Sequence, residues 1–289
     1  EKGEKMSDPI ELLSKFSEDL PAETAKGEEA LWENLARRGA GIVNCHAASF
    51  FEADDVKKRL TFRKSIGPVG GDLVGVSFGY QGVVGFCAEG RKAVLVNDAE
   101  NSPLFTKKVD KGSGFRTKSV IAVPAIAGGE LLGIIEFINS IPGAFSDAEL
   151  KCAELMTALT AREVYILRLG ATIKQLNLKG ESTINNLSGG FIGADLEGKV
   201  IFFNPKASEI FEVGAEYLNK PVVELFQLCP DIVSALGDVL KQGKTVRRQE
   251  FKCKVNGKEK VIGYSSINMK GVDGKVIGAG IIFQDITNL

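Results

Sequence analysis

Cys45 and His46 stand side by side, a pairing that could supply a nucleophile with its base or two ligands to one metal ion. His46 is the single histidine among 289 residues, so a two-histidine metal face is excluded and a catalytic triad has little scope. It is also the one imidazole available to haem or iron. The segment around it reads as a strand, where adjacent side chains point to opposite faces. The pair therefore does not share a metal simply, and a structural role is expected for His46. The other cysteines, Cys87, Cys152, Cys229 and Cys253, form no CxxC pair, and the spacing is neither that of zinc nor that of an iron–sulfur cluster. An odd, sparse count suits a reducing cytosol. No convergent acid–base cluster is visible, and the chain is expected to have no catalysis of its own. At the far end, Asp285 and Thr287 follow an apolar run over 276–283, and both are residue types that cap helix N-termini.

The totals bound what these residues can serve. A length of 289 suits two domains, and 44% hydrophobic with 25% charged residues is a globular composition. Thirty-six basic residues against 37 acidic ones leave a net charge of −1, which draws the chain to neither nucleic acid nor an anionic membrane. No apolar stretch approaches the roughly 20 residues of a bilayer span. The polar, charged N-terminus has no signal-peptide pattern, so a cytoplasmic location is expected. Residues 1–26 read as a helical extension, its first residues before Met6 being a tag remnant or the scar of excision from a longer chain.

Apolar residues over 11–36 recur at helical spacing and predict two helices, broken at Pro21. "AASFFEA" and "RLTFRKS" alternate around a turn and predict a hairpin. "YQGVVGFCAEG" predicts a helix stopped at Gly90, with "AVLVN" as the next strand. The stretch from Asp98 to Phe115 has little regular promise, as expected of a functional lid or of a disordered segment. "KSVIAVPAIA" and "ELLGIIEFINS" form a second hairpin across Gly128-Gly129. Ser146 with Glu149 then makes a capping box that opens a long helix. After residue 185 the strands return: "GGFIGADLEG" and "KVIFFNP" precede short helices. Three final strands turn at Asn256-Gly257 and Asp273-Gly274.

The long helix carries a heptad pattern. Cys152, Leu155, Leu159, Ile166, Leu169, Ile173 and Leu176 fall at alternating three- and four-residue steps, with Arg162 alone out of pattern. A surface helix shows a broader stripe with a 3.6 period, whereas a 3.5 period predicts a two-stranded coiled coil. Leu155, Leu159, Ile166, Leu169, Ile173 and Leu176 form the expected seam of a homodimer.

The segments "QGVVGFCAEGRKAVLVNDAENSPLF" and "GFRTKSVIAVPAIAGGELLGIIEFINSIPGAFSDAEL" resemble a GAF domain over 27–168. The stretch from "GGFIGADLEGKVIFFNPKASEIF" to "GKVIGAGIIFQDIT" resembles a PAS domain over 182–289. The expected fold class is α+β: two antiparallel-sheet sensory modules joined by a long coiled-coil helix over 150–181. Such an order resembles the input half of a bacterial sensor histidine kinase; a diguanylate cyclase or a transcription activator is the alternative. The resemblance implies that Asp285 and Thr287 relay a signal from the last strand to an effector beyond Leu289.

The GAF resemblance implies a cleft for a small ligand, with Phe51, Phe86, Asp98, Phe105, Phe115, Thr117 and Ser119 near it. In the PAS-like half Phe191, Phe203, Asn204, Ile210, Phe211 and Leu225 would line the corresponding cavity. Cyclic-nucleotide-binding GAF domains carry an Asn-Lys pair, then Phe, then acidic residues. Here Asn139, Phe145, Asp147 and Glu149 match but Ser140 replaces the lysine, so Phe145 is expected in the core and Glu149 in the capping box. The PAS-like half has no histidine for haem, and no cysteine context resembles a flavin photosensor or a bilin attachment site, so no cofactor is expected. Two readings stand: a ligand-responsive input region, or a dimerisation and relay module with side chains filling both clefts.

Overall fold

The computed structural model describes residues 9–68, 73–105, 116–225 and 230–288. The chain divides between Ile173 and Lys174 into two compact units. The first begins with α1 (Pro9–Lys26) and α2 (Glu28–Ile42). The break expected at Pro21 lies at Gly27 instead. The first helix runs through the proline, and Gly27 takes a φ of 103°, open to a residue without a Cβ. Phe16 and Leu20 of α1 are buried in the unit's core, and Asp19 pairs with Arg38 of α2, so the N-terminal segment is part of the domain.

Six strands follow: β1 (Cys45–Asp54), β2 (Arg59–Ile66), β3 (Ser77–Gly79), β4 (Val94–Val96), β5 (Val120–Ala127) and β6 (Glu130–Ser140). They form one antiparallel sheet in the order β3-β2-β1-β6-β5-β4, with α3 (Gly82–Gly90) between β3 and β4 in the chain. Gly128 and Gly129 turn β5 into β6 with φ of 59° and 82°, the positive pair that a two-residue hairpin needs. Alternation along the strands splits the core in two. Ala48, Phe50, Ile121, Ile135 and Phe137 pack with the long helices, and Trp32 of α2 stacks on Phe50 with ring centroids 3.9 Å apart. Phe51, Leu60, Phe62, Ala122 and Ile134 pack on the other face with Val83, Val84 and Cys87 of α3.

The long helix α4 (Asp147–Asn185) has 39 residues. Its capping box is formed as read: Ser146 N–H donates to Glu149 Oε2 at 2.7 Å, and Glu149 N–H donates to Ser146 Oγ at 3.3 Å. Its buried stripe is Cys152, Ala153, Met156, Thr157, Thr160, Ala161 and Val164. The Thr157 and Thr160 hydroxyls donate to the carbonyls of Ala153 and Met156, which satisfies them inside the packed face. The heptad positions divide accordingly. Cys152 belongs to the buried stripe and Leu159 leans on the core, while Leu155, Ile166, Leu169, Ile173 and Leu176 are 48% to 62% exposed. Arg168 binds Glu28 of α2 bidentately, with Nε to Oε2 at 2.9 Å and Nη2 to Oε1 at 2.5 Å.

In the second unit five strands, β7 (Gly190–Asp195), β8 (Val200–Phe203), β9 (Gln249–Val255), β10 (Lys258–Lys270) and β11 (Val276–Asp285), form an antiparallel sheet. Its order is β8-β7-β11-β10-β9. Between β8 and β9 lie α5 (Pro205–Phe211), a 3-10 turn (Ala215–Tyr217), α6 (Val222–Leu225) and α7 (Pro230–Gln242). The α7 residues Ile232, Ala235, Leu236 and Val239 share one core with Ile192, Ile262, Ile281 and Phe283. Asn256-Gly257 makes a tight hairpin, with φ of 46° and 81°. Asp273-Gly274 sits within a longer loop, 271–275, closed by Gly271 N–H donating to Lys275 O at 2.8 Å. The molecule is thus α+β, with two antiparallel sheets and a long helix between them in the chain.

Candidate functional site

In the first unit the α3-facing side of the sheet collects only part of the expected cleft. Phe51 is buried there, its ring edge-on to Phe62 at 4.3 Å and to Phe78 at 5.7 Å, and Phe105 packs on the same cluster. Thr117 and Ser119 are buried; Ser119 Oγ accepts the Ser140 N–H at 3.0 Å. Two expectations need correction. Phe86 is 55% exposed, because the helical spacing that seats Val83 and Cys87 on the sheet turns Phe86 outward. Asp98 is exposed and closes a turn, its Oδ1 accepting the Asn101 N–H at 3.3 Å. Phe115 lies outside the described residues.

Asn139 acts as a clamp. Its Oδ1 accepts the Lys118 N–H at 2.6 Å and its Nδ2 donates to Arg116 O at 2.8 Å. Its own φ is 59°, in the left-handed region that asparagine tolerates. The Asn139 carbonyl accepts from Nδ1 of His46 at 2.9 Å. His46 is exposed while Cys45 is buried, the opposite-face arrangement that strand geometry predicted. Burial first of all pushes the Cys45 thiol up to about 12, so it stays protonated at neutral pH. Phe145 is buried, and Ser140 Oγ donates to Ala144 O at 2.9 Å.

Sequence reasoning missed three polar residues at the centre of this face. Ser49 of β1 stands directly opposite Glu136 of β6, and Phe51 stands opposite Ile134 in the same ladder. Ser49 Oγ lies 3.2 Å from Ser65 Oγ of β2. The available signal was a lone carboxylate inside the apolar run "LLGIIEFI". Glu136 alternates with Ile135 and Phe137 of the opposite face and pairs with Ala122 of β5, which puts it on the α3 side. Burial first, and then the Glu136 charge, push the Cys87 thiol of α3 up to about 12.

The interior of the second unit is more completely occupied. Asn204, expected to line a cavity, is fully buried with its amide saturated. Its Oδ1 accepts from Phe191 N at 2.8 Å and Ala207 N at 2.9 Å, and its Nδ2 donates to Ile184 O at 3.1 Å and Gly189 O at 3.0 Å. Nothing remains for a ligand. Phe191 is likewise corrected: it alternates with the core residue Ile192 and packs on the opposite face, 6.0 Å from Phe202. Ile210 and Phe211 are core, Phe211 lying 4.8 Å from Phe283, and Phe203 packs against them. Leu225 ends α6, and its side chain lies outside the described set.

Asp285 and Thr287 bond within the unit. Asp285 Oδ1 accepts the Thr287 N–H at 3.1 Å and also its hydroxyl, and Thr287 Oγ1 accepts the Val261 N–H at 2.9 Å. The Thr287 hydroxyl, with Lys260 nearby, holds the Asp285 carboxyl below the usual carboxylate range. Lys260 Nζ is 3.5 Å from Asp285 and donates to Ile210 O at 2.8 Å, at the end of α5. Beside this network is a cleft of about 410 Å³, lined by Ser188, Lys206, Glu209, Ile210, Lys260, Gln284 and Asp285. Among the described residues no group of three His, Cys, Asp or Glu side chains is placed to hold a metal.

Known proteins bear on both units. Residues 28–164 match the GAF domain family, and residues 184–289 match the PAS fold family. The alpha' subunit of cone cGMP-specific 3',5'-cyclic phosphodiesterase of Mus musculus is 37% identical over 60 residues, 21% of this chain and 7% of that protein. A probable C4-dicarboxylate sensor kinase of Bacillus subtilis is 33% identical over 106 residues, 37% of this chain and 18% of that protein. The chain thus spans less than a fifth of either relative. The GAF domain of a phosphoenolpyruvate-protein phosphotransferase from Coxiella burnetii superposes with a TM-score of 0.51 at 20% identity. That superposition covers 57% of this chain and 96% of the other, and it supports the fold alone.

Proposed function

From a chain that carries a GAF domain followed by a PAS-fold domain, we propose a signal-sensing input region of a larger signalling protein. A small ligand occupies the GAF cleft, and the change travels along α4 to the PAS unit and on to an effector. The likeness to a sensor kinase favours a histidine kinase as that effector. The fragment itself carries out no chemistry. Its working location is the cytoplasm; among the described residues no helix is long and apolar enough to cross a membrane.

The observation that carries this reading is the division of α4 into two apolar faces. One face is buried in the GAF unit, and the other leaves Ile166, Leu169, Ile173 and Leu176 outward. Isoleucine at the first and leucine at the second position of each three–four step is the pattern preferred by parallel two-stranded coiled coils. A second copy of the chain is therefore the partner, and a tilt of α4 on the GAF sheet is transmitted along the shared rod. Analytical ultracentrifugation tests this. The native chain should be a dimer at roughly ten micromolar, and joint Ile166→Asp and Leu169→Asp substitution should leave a folded monomer, since charges are not tolerated in a buried seam. A native chain that is already monomeric at that concentration sinks the proposal.

The saturated Asn204 and the packed core favour the relay reading for the PAS unit, with no ligand of its own. Cyclic nucleotides are disfavoured in the GAF cleft because Ser140 stands where the binding signature has lysine.

A further inference from the structure

The apolar line on the outward side of α4 is broken once. Arg162 takes the second position of its three–four step, where Leu155, Leu169 and Leu176 stand in theirs. Its side chain is 68% exposed. At 3.6 residues per turn it shares the side of α4 that carries Leu155, Ile166 and Leu169, opposite the buried Ala153, Thr160 and Val164. Glu163 comes next round the helix, between that line and the domain. Its side chain is 21% exposed, Oε2 accepts the Thr24 hydroxyl of α1 at 3.4 Å, and Oε1 is 3.6 Å from Arg162 Nη2. The last contact is an ion pair without a hydrogen bond, so the guanidinium keeps donors for a further acceptor.

In a parallel pair of α4 helices, two-fold symmetry brings residue 162 of one chain to residue 162 of the other. Two guanidinium groups meeting head-on repel. A side chain at this seam position, however, enters a hole on the facing helix that includes the residue one place further on, and here that residue is a carboxylate. Arg162 can lay its stem along the seam and turn its head to Glu163 of the partner subunit. Symmetry makes two such pairs in each dimer. A slip by one heptad sets Arg162 against Leu155 or Leu169 instead, which desolvates a charge beside an apolar side chain.

We propose that Arg162 and Glu163 form an interchain charged layer that holds two copies of the chain parallel and in register along α4. This rests on the reading of α4 as the seam of a homodimer. It adds the residues that specify register, which the apolar positions, repeating every heptad, leave degenerate.

The test makes Arg162→Glu and Glu163→Arg singly in the full chain, with circular dichroism and thermal unfolding to show that each is folded. Either variant alone sets like charges against like, and should dimerise at least ten times more weakly than the native chain. Mixed in equal amounts, the acidic pair of one variant meets the basic pair of the other, and a one-to-one heterodimer of native affinity should form. Analytical ultracentrifugation with one variant labelled reads this. Should Glu163→Arg fail to fold, salt decides on Arg162→Glu alone. Screening at roughly 1 M sodium chloride should tighten its dimer and weaken the native one, and an equal response of both overturns the layer. Single variants that dimerise as well as the native chain overturn the layer while leaving the homodimer intact. So does a mixture that forms no heterodimer. A native chain that is monomeric overturns the homodimer reading, and the layer with it.

Discussion

In each unit an asparagine side chain ties separate backbone segments together, and Asn204 and Asn139 differ in how completely they are enclosed. In the PAS unit, Asn204 is fully buried and makes four hydrogen bonds that tie the end of α4, the start of β7 and the N-terminus of α5. In the GAF unit, Asn139 is half-buried and fastens residues 116–119 to the end of β6. The contrast extends to the sheets. The PAS core packs apolar side chains under α5 and α7, whereas the GAF face beneath α3 keeps a half-buried carboxylate and two hydroxyls at its centre. A domain closed around its polar groups transmits strain; one that leaves polar groups half-open can exchange them with a ligand.

The contrast can be broken most sharply at Asn204. Replacement by alanine removes the side-chain partners of the buried Phe191 N–H and Gly189 carbonyl, while Ala207 N–H and the Ile184 carbonyl keep backbone partners, with an expected loss of about 2–4 kcal/mol. Two-domain urea unfolding should show the PAS transition collapse while the GAF transition stays in place. Equal loss in both transitions would mean that the clamp is not local to one unit.

Asn139→Ala should cost about 1–2 kcal/mol, less than Asn204→Ala because water can replace the lost partners. Part of that loss is backbone strain at a φ of 59°, so Asn139→Gly separates strain from hydrogen bonding. If alanine at 139 proves as costly as alanine at 204, the open and closed descriptions of the two clamps fail.

The smallest effect is the contribution of Glu28 to the pH dependence of the GAF unit. Burial raises the Glu28 carboxyl, but hydrogen bonds from Arg168 and Trp32 outweigh it and leave its pKa below the ordinary 4.5. A depressed folded-state pKa stabilises above the unfolded value and loses that contribution as pH falls through the folded one. The GAF transition should therefore weaken below about pH 4.5, by at most ~1 kcal/mol from this half-exposed pair. Glu28→Gln should flatten that part of the profile. An unchanged slope in the variant would show that the link between α2 and α4 does not contribute.

Local features were legible in the chain. The capping box at Ser146 and Glu149, the glycine turn at 128–129 and the alternation of the strands all depend on residues within a few positions of one another. The 3.5-residue step of α4 belongs to the same class, although Cys152 and Leu159 turned out to face the domain. Pro21 misled because packing of Phe16 and Leu20 carries the helix past a residue that breaks isolated helices, up to Gly27.

What the sequence determined by itself is therefore periodicity: which residues share a face, where turns and caps fall, and that His46 and Cys45 part company. Only the tertiary structure decided which face meets which partner. Phe86 and Phe191 are as apolar as their neighbours, but one faces solvent and the other lies on the far side of its sheet. Asn204 passes for a pocket residue until four backbone groups converge on it. Ser49 and Glu136 are far apart in the chain and became neighbours through the register of β1 with β6. Periodicity is a property of one segment, whereas register is a property of two. Pairing energies depend on both strands at once, so no local pattern encodes that Glu136 meets Ser49 on this face of the sheet.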